Sequence, residues 1–361
     1  MESVVEMMEK GVADRIFPGA VLLVSRASRI VLHEAFGVAD LFSGQAVTRS
    51  TFFDLASLTK PLATTMAVLQ LVQDKKICLD QELGTLLKVA HGSDKACITV
   101  ENLLRHESGL PAHRPFYETL VKMPWNDRSH WLETLVFNEP LVYRPGVDEC
   151  YSDLGFMVLA RVVASVSGKP LHRFVKERCY DPLGLEDLNF FENRALSDVA
   201  EDDRLFRTAA TEACPWRKKV LKAEVHDDNA WAVGGVDGHA GLFGTAFDVW
   251  RLLMEIMHGV QGKKTTVINR DLLACAVQKK GHRTYVAGFD TPSGPVSSSG
   301  SHFSLSSLGH LGFTGTSFWI DPETSLIVVL LTNRVHPLRS NEKIRRFRPR
   351  IHDAIVKQLG I

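Results

Sequence analysis

Two hairpin patterns stand at opposite ends of the chain, and most of what lies between them reads as helix. Ala20-Val21-Leu22-Leu23-Val24 and Ile30-Val31-Leu32-His33 follow Pro18-Gly19 and flank a polar turn. Thr316 to Ile320 and Leu326 to Leu331 flank Asp321-Pro322-Glu323-Thr324-Ser325, a run of turn formers. Met1 to Lys10 has an amphipathic helical pattern, and Pro61 to Val72 is apolar almost all round, as in a buried helix. Thr99 is an N-cap candidate for a helix that stops before Gly109, and Leu154 to Val166 is closed by Gly168 and Pro170. Thr245 to Asp248 has a capping-box layout. A last helix is expected with Pro349 in its first turn and Ile351, Ile355 and Leu359 on one stripe. The Gly/Ser-rich stretch from Pro292 to Gly309 reads as a mobile loop. Terminal strands with helices between them predict an α/β (α+β) fold: one antiparallel sheet drawn from both chain ends, flanked by helices, with a mostly helical lobe inserted. At 361 residues we expect a single intertwined domain over 1–361, with sublobes 1–50 plus 235–361 and 51–234.

Composition narrows the function class. Lys+Arg 42 equals Asp+Glu 42, so no basic excess points to nucleic acid. The aliphatic run Leu326 to Leu331 falls far below the ~20 apolar residues of a membrane span. The cysteines (Cys78, Cys97, Cys150, Cys179, Cys214, Cys275) are scattered, which predicts free thiols and a reducing compartment. The N-terminus lacks a basic start and a long apolar stretch, so a cytoplasmic location is expected, with a removed leader left open.

Three segments carry residues that can do chemistry. In Ser57-Leu58-Thr59-Lys60 the two polar groups are three apart and share a helix face, so an amine can sit beside a hydroxyl and activate it. Pro61 requires a helix start near Ser57, at the positive end of the dipole. Taken singly, the motif is better explained as a serine N-cap with an exposed lysine, since S-x-x-K occurs by chance in many proteins. In Tyr151-Ser152-Asp153 a phenol near an ammonium can shuttle protons, whereas Asp153 is well placed as the N-cap of the following helix. His310-Leu311-Gly312-Phe313-Thr314-Gly315-Thr316 leads into a strand, and its glycines let a substrate approach the backbone. A strand N–H there can complete an oxyanion hole with the N–H of Ser57; a Gly-rich bend with a surface histidine is the plain reading.

These motifs, in this order, resemble the serine β-lactamase and penicillin-binding-protein superfamily, in particular its class C-like branch, which also holds D-aminopeptidases, carboxypeptidases and esterases. Phe52 to Ala56, Leu103 to Pro111, Gly241 to Thr245, Phe318 to Pro322 and Thr332-Asn333-Arg334 extend the resemblance over nearly the whole chain. It implies a β-lactamase/transpeptidase-like fold and a cofactor-free serine hydrolase. Ser57 would be the acylated nucleophile, Lys60 its activating partner and Tyr151 the proton relay. The backbone N–H groups of Ser57 and Phe313 would form the oxyanion hole. Asp153, His310, Gly312 and Arg334 would contact substrate.

Two departures shape the expected activity. Asp153 stands where the family usually has Tyr-x-Asn; a carboxylate cannot donate the amide hydrogen bond, but it can hold the Lys60 ammonium. His310-Leu311-Gly312 replaces Lys-Thr-Gly, losing a hydroxyl and a fixed charge on the side that would grip a β-lactam carboxylate. The expected substrates are therefore esters, small amides or D-amino-acid peptides, with weak β-lactam turnover at most. A true β-lactamase or D,D-peptidase, and a catalytically silent binding protein, are the alternatives. The basic tract Arg334, Arg339, Lys343, Arg345, Arg346, Arg348 and Arg350 reads as a solvated helix face, from which Arg334 or Arg339 could meet a substrate carboxylate. His226, Asp227, Asp228 and His239 fit no standard zinc spacing, so no metal is expected. They read as a loop beside the cleft, and His106 as a helix terminus. The expected partner is a small molecule or short peptide; the oligomeric state is left open.

Overall fold

The structure, a computed structural model, describes residues 1–193, 203–294 and 297–361. Its main sheet has eight strands: β1 (Gly19–Arg26), β2 (Arg29–Asp40), β3 (Gln45–Ala46), β4 (Tyr285–Val286), β5 (Phe289–Asp290), β6 (Leu308–Leu311), β7 (Ser317–Asp321) and β8 (Leu326–Thr332). Their order is β3-β2-β1-β8-β7-β6-β5-β4, with every pairing antiparallel. The two sequence hairpins thus meet at the centre, where Val21 lies opposite Leu331 and Val24 opposite Val328.

Alternation along the strands sorts the core into two layers. Ala20, Leu22, Val24, Trp319, Val328 and Leu330 face α1 (Glu2–Ala13) and the final helix. Val21, Leu23, Phe318, Ile320, Val329 and Leu331 face the larger core shared with the middle of the chain. Strand β8 is buried on both faces, which is why it reads as an unbroken apolar run. The inserted part is mostly helical and includes α2 (Met66–Gln73), α3 (Val100–Leu104) and α4 (Asp153–Ser167), followed by α5 (Ala246–Val260), which packs beneath the sheet.

Three local expectations are corrected. The final helix, α6, spans Ile344–Leu359, so Pro349 lies inside it rather than in its first turn. Ile344 and Phe347 are buried in the outer core, and that packing extends the helix past the missing proline donor. The stretch from Pro292 to Gly309 ends in β6, with Leu308 and Gly309 paired to Ile320 and Trp319. Within it Ser297 and Ser299 are buried, and Pro295 and Val296 lie outside the described residues. Finally, the N-cap of α4 is Ser152, not Asp153: its hydroxyl accepts from the Gly155 N–H and donates to Pro111 O. This leaves the Asp153 carboxylate free for a longer-range partner.

Candidate active site

The site forms where the middle of the chain meets the end of β6. Phe53–Asp54 pairs with Leu242–Gly244, which pairs in turn with Leu188–Phe190, and this small sheet fixes the chain just before Ser57. The Asp54 carboxylate accepts from the N–H groups of Ala56 (2.8 Å) and His226 (2.6 Å). Ala56 then takes φ +48, a left-handed turn rare outside glycine, and a tight 3-10 turn over Ala56–Leu58 leads into a wider helical turn, Lys60–Thr65, continuous with α2. Ser57 is partly exposed at the start of this helix, whereas Lys60 is fully buried.

All three N–H donors of the Lys60 ammonium are engaged: Asp153 Oδ1 at 2.7 Å, Ser57 Oγ at 3.2 Å and the His239 carbonyl at 3.2 Å. Burial alone would push its pKa down, but the Asp153 carboxylate and the Tyr151 hydroxyl outweigh burial and the net shift is upward. Asp153 is the converse. Burial favours its neutral form, yet Lys60 and His113 hold it far below the usual carboxylate range. The pair is therefore ionised across the physiological range. Lys60 Nζ also lies 4.8 Å from the centre of the Tyr151 ring. Burial raises the Tyr151 pKa, opposed by Lys60 and by the neighbouring Ser57 hydroxyl, so the resting group is a neutral phenol.

Two cavities, of about 420 and 320 Å³, meet at Ser57; Tyr151 and Phe313 line both. The first is completed by Tyr285, Asp290, His310, Arg334 and Arg348, the second by His113, Asp153, Asp227, His239 and Arg339. The backbone around Phe313 is pinned: Gly312 N–H donates to Thr316 O at 2.7 Å and Thr314 Oγ1 to Asp54 O at 2.6 Å. Gly312 has no room for a side chain, since a Cβ there would lie 2.7 Å from the Leu55 carbonyl oxygen.

The candidate substrate contacts fare differently. His310 is buried and neutral rather than partly cationic, because burial and then Lys60 lower its pKa to about 3. Its Nδ1 faces the Leu311 carbonyl at 2.9 Å and so carries the proton, leaving Nε2 as a lone-pair acceptor without a partner among the described residues. Arg334 donates from Nε (2.9 Å) and Nη2 to Phe313 O, and from Nη1 to Arg339 O and Asn341 O (both 2.8 Å). One Nη2 N–H remains, so Arg334 mainly braces the Phe313 peptide. Arg339 lines the second cavity, not the first, and its charge is already paired with Glu212.

Nor is the basic tract one solvated face: Arg345, Arg346 and Arg350 are exposed, but Arg334 and Arg348 are buried. Arg348 borders the first cavity and, among the described residues, has no carboxylate partner. It donates from Nη2 to Thr316 O (2.9 Å) and Gly312 O (3.3 Å), and its Nε has no partner among the described residues. Burial, then Arg334 and Arg345, lower its pKa to about 9. The sequence does hold a signal for Arg348, since it lies four residues after Ile344 on the inward stripe. Placing the helix start at Pro349 hid it. In the second cavity, His239 Nε2 meets Asp227 Oδ1 at 2.8 Å; Asp227 overcomes burial to raise the His239 pKa. Among the described residues no cluster of His, Cys, Asp and Glu has metal-holding geometry.

Known proteins resemble this chain in sequence and in fold. A sequence model of the family described as Beta-lactamase matches residues 4–352. The chain is 32% identical over 365 residues to the N-acetylmuramyl-L-alanine amidase of Bacillus subtilis (strain 168), covering 93% of this chain and 81% of that protein. It is 29% identical over 345 residues to an Escherichia coli (strain K12) protein named "Putative D-alanyl-D-alanine carboxypeptidase", covering 89% and 79%. In structure it is similar to EstCE1, a hydrolase with promiscuous acyltransferase activity (TM-score 0.74, 20% identity, 97% and 98% covered). It is also similar to an octameric penicillin-binding protein homologue from Pyrococcus abyssi (TM-score 0.75, 18% identity, 99% and 77% covered). Those two likenesses speak to the fold. The family match and the amidase relative carry the assignment: the chain belongs to the β-lactamase family of serine hydrolases.

Proposed function

We propose that the protein hydrolyses small amides or esters bearing an anionic group, through an acyl-enzyme on Ser57. The observation that carries this reading is the meeting of Ser57, Lys60 and Tyr151 at the junction of two cavities, with Arg348 at the edge of one and, among the described residues, no carboxylate paired to it. Ser57 Oγ attacks the acyl carbon while the neutral Tyr151 phenol acts as a relay, its oxygen taking the Ser57 proton as its own O–H proton moves to the leaving atom. Lys60, fixed as an ammonium by Asp153, stabilises the charge that develops on both oxygens. The carbonyl oxygen turns toward the N–H groups of Ser57 and Phe313. The protonated leaving group departs, and water then releases the acyl chain by the same relay run in reverse. The names of the amidase and carboxypeptidase relatives favour amide substrates with a carboxylate, which Arg348 would receive. Neutral His310 adds no positive charge beside the third motif, where a β-lactam carboxylate would be gripped, and Arg348 lies at the cavity edge, so turnover of β-lactams is expected to be slower than that of open-chain substrates.

Mass spectrometry after fluorophosphonate treatment tests the reading, together with a panel of activated esters, D-amino-acid anilides and nitrocefin. We expect one adduct on Ser57, hydrolysis of esters or anilides faster than of nitrocefin, and no turnover by Ser57→Ala. Hydrolysis that survives Ser57→Ala refutes the nucleophile, and no hydrolysis of any activated ester favours a silent binding protein.

A further inference from the structure

The segment Leu103 to Pro111 supplies none of the groups in that mechanism, yet it is tied along its length to the chain that carries Tyr151. Gly146 N–H donates to Glu107 O, Val142 N–H to Gly109 O, Cys150 N–H to His106 O and Asp153 N–H to Ala112 O, at 2.8, 2.8, 2.8 and 2.9 Å. His106 is the centre of this seam. It is 1% exposed and stands just past the end of α3 with φ +58, a conformation that His and Asn tolerate better than most residues. Its carbonyl also accepts from the Tyr143 hydroxyl at 3.2 Å. Its ring lies 4.7 Å from the Tyr151 ring, and its Nδ1 accepts from the backbone N–H of Ser152 at 3.0 Å. The residues on either side of the Tyr151 peptide are thus both bound to one histidine. Burial, reinforced by Lys60 and His310, holds the His106 pKa well below its ordinary value, so Nδ1 keeps its lone pair.

From this we infer that His106 is a positioning residue for catalysis: its backbone carbonyl, Nδ1 and ring clamp Cys150, Ser152 and Tyr151 so that the phenol stays directed at Ser57 and Lys60. The inference rests on the role proposed for Tyr151 as proton relay. It makes a stereochemical demand that core packing alone does not. Asparagine carries Oδ1 on Cγ, where histidine carries Nδ1, and it tolerates the same backbone turn. His106→Asn therefore keeps the acceptor and loses the ring, whereas His106→Gln sets the acceptor one bond too far.

The test is steady-state hydrolysis of an activated ester by wild type, His106→Asn, His106→Gln, His106→Ala, Tyr151→Phe and the double variant Tyr151→Phe/His106→Ala, with thermal unfolding of each. We expect His106→Ala and His106→Gln to lower kcat about 100-fold, the effect of a misplacement of about 1 Å, with KM changed no more than about threefold. His106→Asn should recover at least about tenfold of that loss. In the Tyr151→Phe background, His106→Ala should cost less than about threefold more, because its effect runs through the phenol. Should His106→Ala fail to fold, the comparison of His106→Asn with His106→Gln decides alone. Asn no better than Gln, an undiminished loss in the Tyr151→Phe background, or an unchanged kcat overturns the inference while leaving the Ser57 mechanism standing. A wild-type enzyme without Ser57-dependent turnover overturns both.

Discussion

At the scale of single residues, Asp153 sets the electrostatics of the site. It makes Lys60 a fully donated, buried ammonium, a stable cation rather than a base in waiting. Asp153→Asn keeps an acceptor near Lys60 but removes the charge, so burial becomes the dominant influence and the lysine pKa falls below its present raised value. Any limb of the kcat/KM profile that reports deprotonation of the Lys60–Tyr151 pair should move to lower pH in that variant, as a pH–rate series will show. Asp153→Ala strands the buried charge and should cost about 3–5 kcal/mol in chemical denaturation. The sequence singled out Ser57 and Lys60 because their spacing is local, pointed to Tyr151 only through the order of the motifs, and raised the Asp153–Lys60 pairing as one alternative. It could not decide whether Ser152 or Asp153 caps α4. Both are good caps on adjacent positions, and only the Pro111 carbonyl, far away in sequence, selects the serine.

Among the elements, the junction between the end of β6 and the turn before Ser57 is the most exacting. Thr316 Oγ1 donates to the Leu55 carbonyl at 3.0 Å, and Gly312 fits between those two groups. A methyl group there would press on the Leu55 backbone oxygen and on Thr316 Oγ1, so the nucleophile turn has to shift. Gly312→Ala should lose about 1–3 kcal/mol of stability by overpacking. It should also lose about 100-fold in kcat/KM against an activated ester, since the displaced segment carries Ser57. This demand was legible only as a glycine in a suggestive motif; the neighbour that forbids a side chain lies some 260 residues away, the separation of the Thr316–Leu55 bond being 261. The start of α6 was hidden for a related reason. Proline marks a favoured first turn in isolation, but Ile344 and Phe347 fill the outer core and carry the helix one turn further back, which brings Arg348 to the cavity.

For the whole molecule, the architecture was legible because the two terminal hairpins are strongly patterned and strands need partners. Its acid sensitivity was not, since it depends on which histidines are dry. His106, His310 and His352 are buried and neutral, with His310 and His352 lowered by burial to about 3 and about 4. Unfolding returns each to an ordinary value near 6.5, so between those limits the unfolded chain binds more protons and stability climbs with pH. Each contributes up to ~1.4 kcal/mol per pH unit in its window. Asp290 works the other way. Burial raises its carboxyl to about 7, so its share of stability declines as pH rises from 3.8 toward 7. Denaturation midpoints should therefore rise between pH 4 and 6.5, and more steeply in Asp290→Asn than in wild type; a flat profile in both would contradict the buried neutral histidines. The pairing of β1 with β8 has a last consequence, for biosynthesis. Gly19 bonds to Asn333 across 314 residues, so β1 waits for its central neighbour while the residues between them are translated, on the order of 15–60 s at ~5–20 residues per second. Throughout that interval one apolar edge of the nascent β1–β2 hairpin stays unpaired, and a cell making this protein must shield it from other chains.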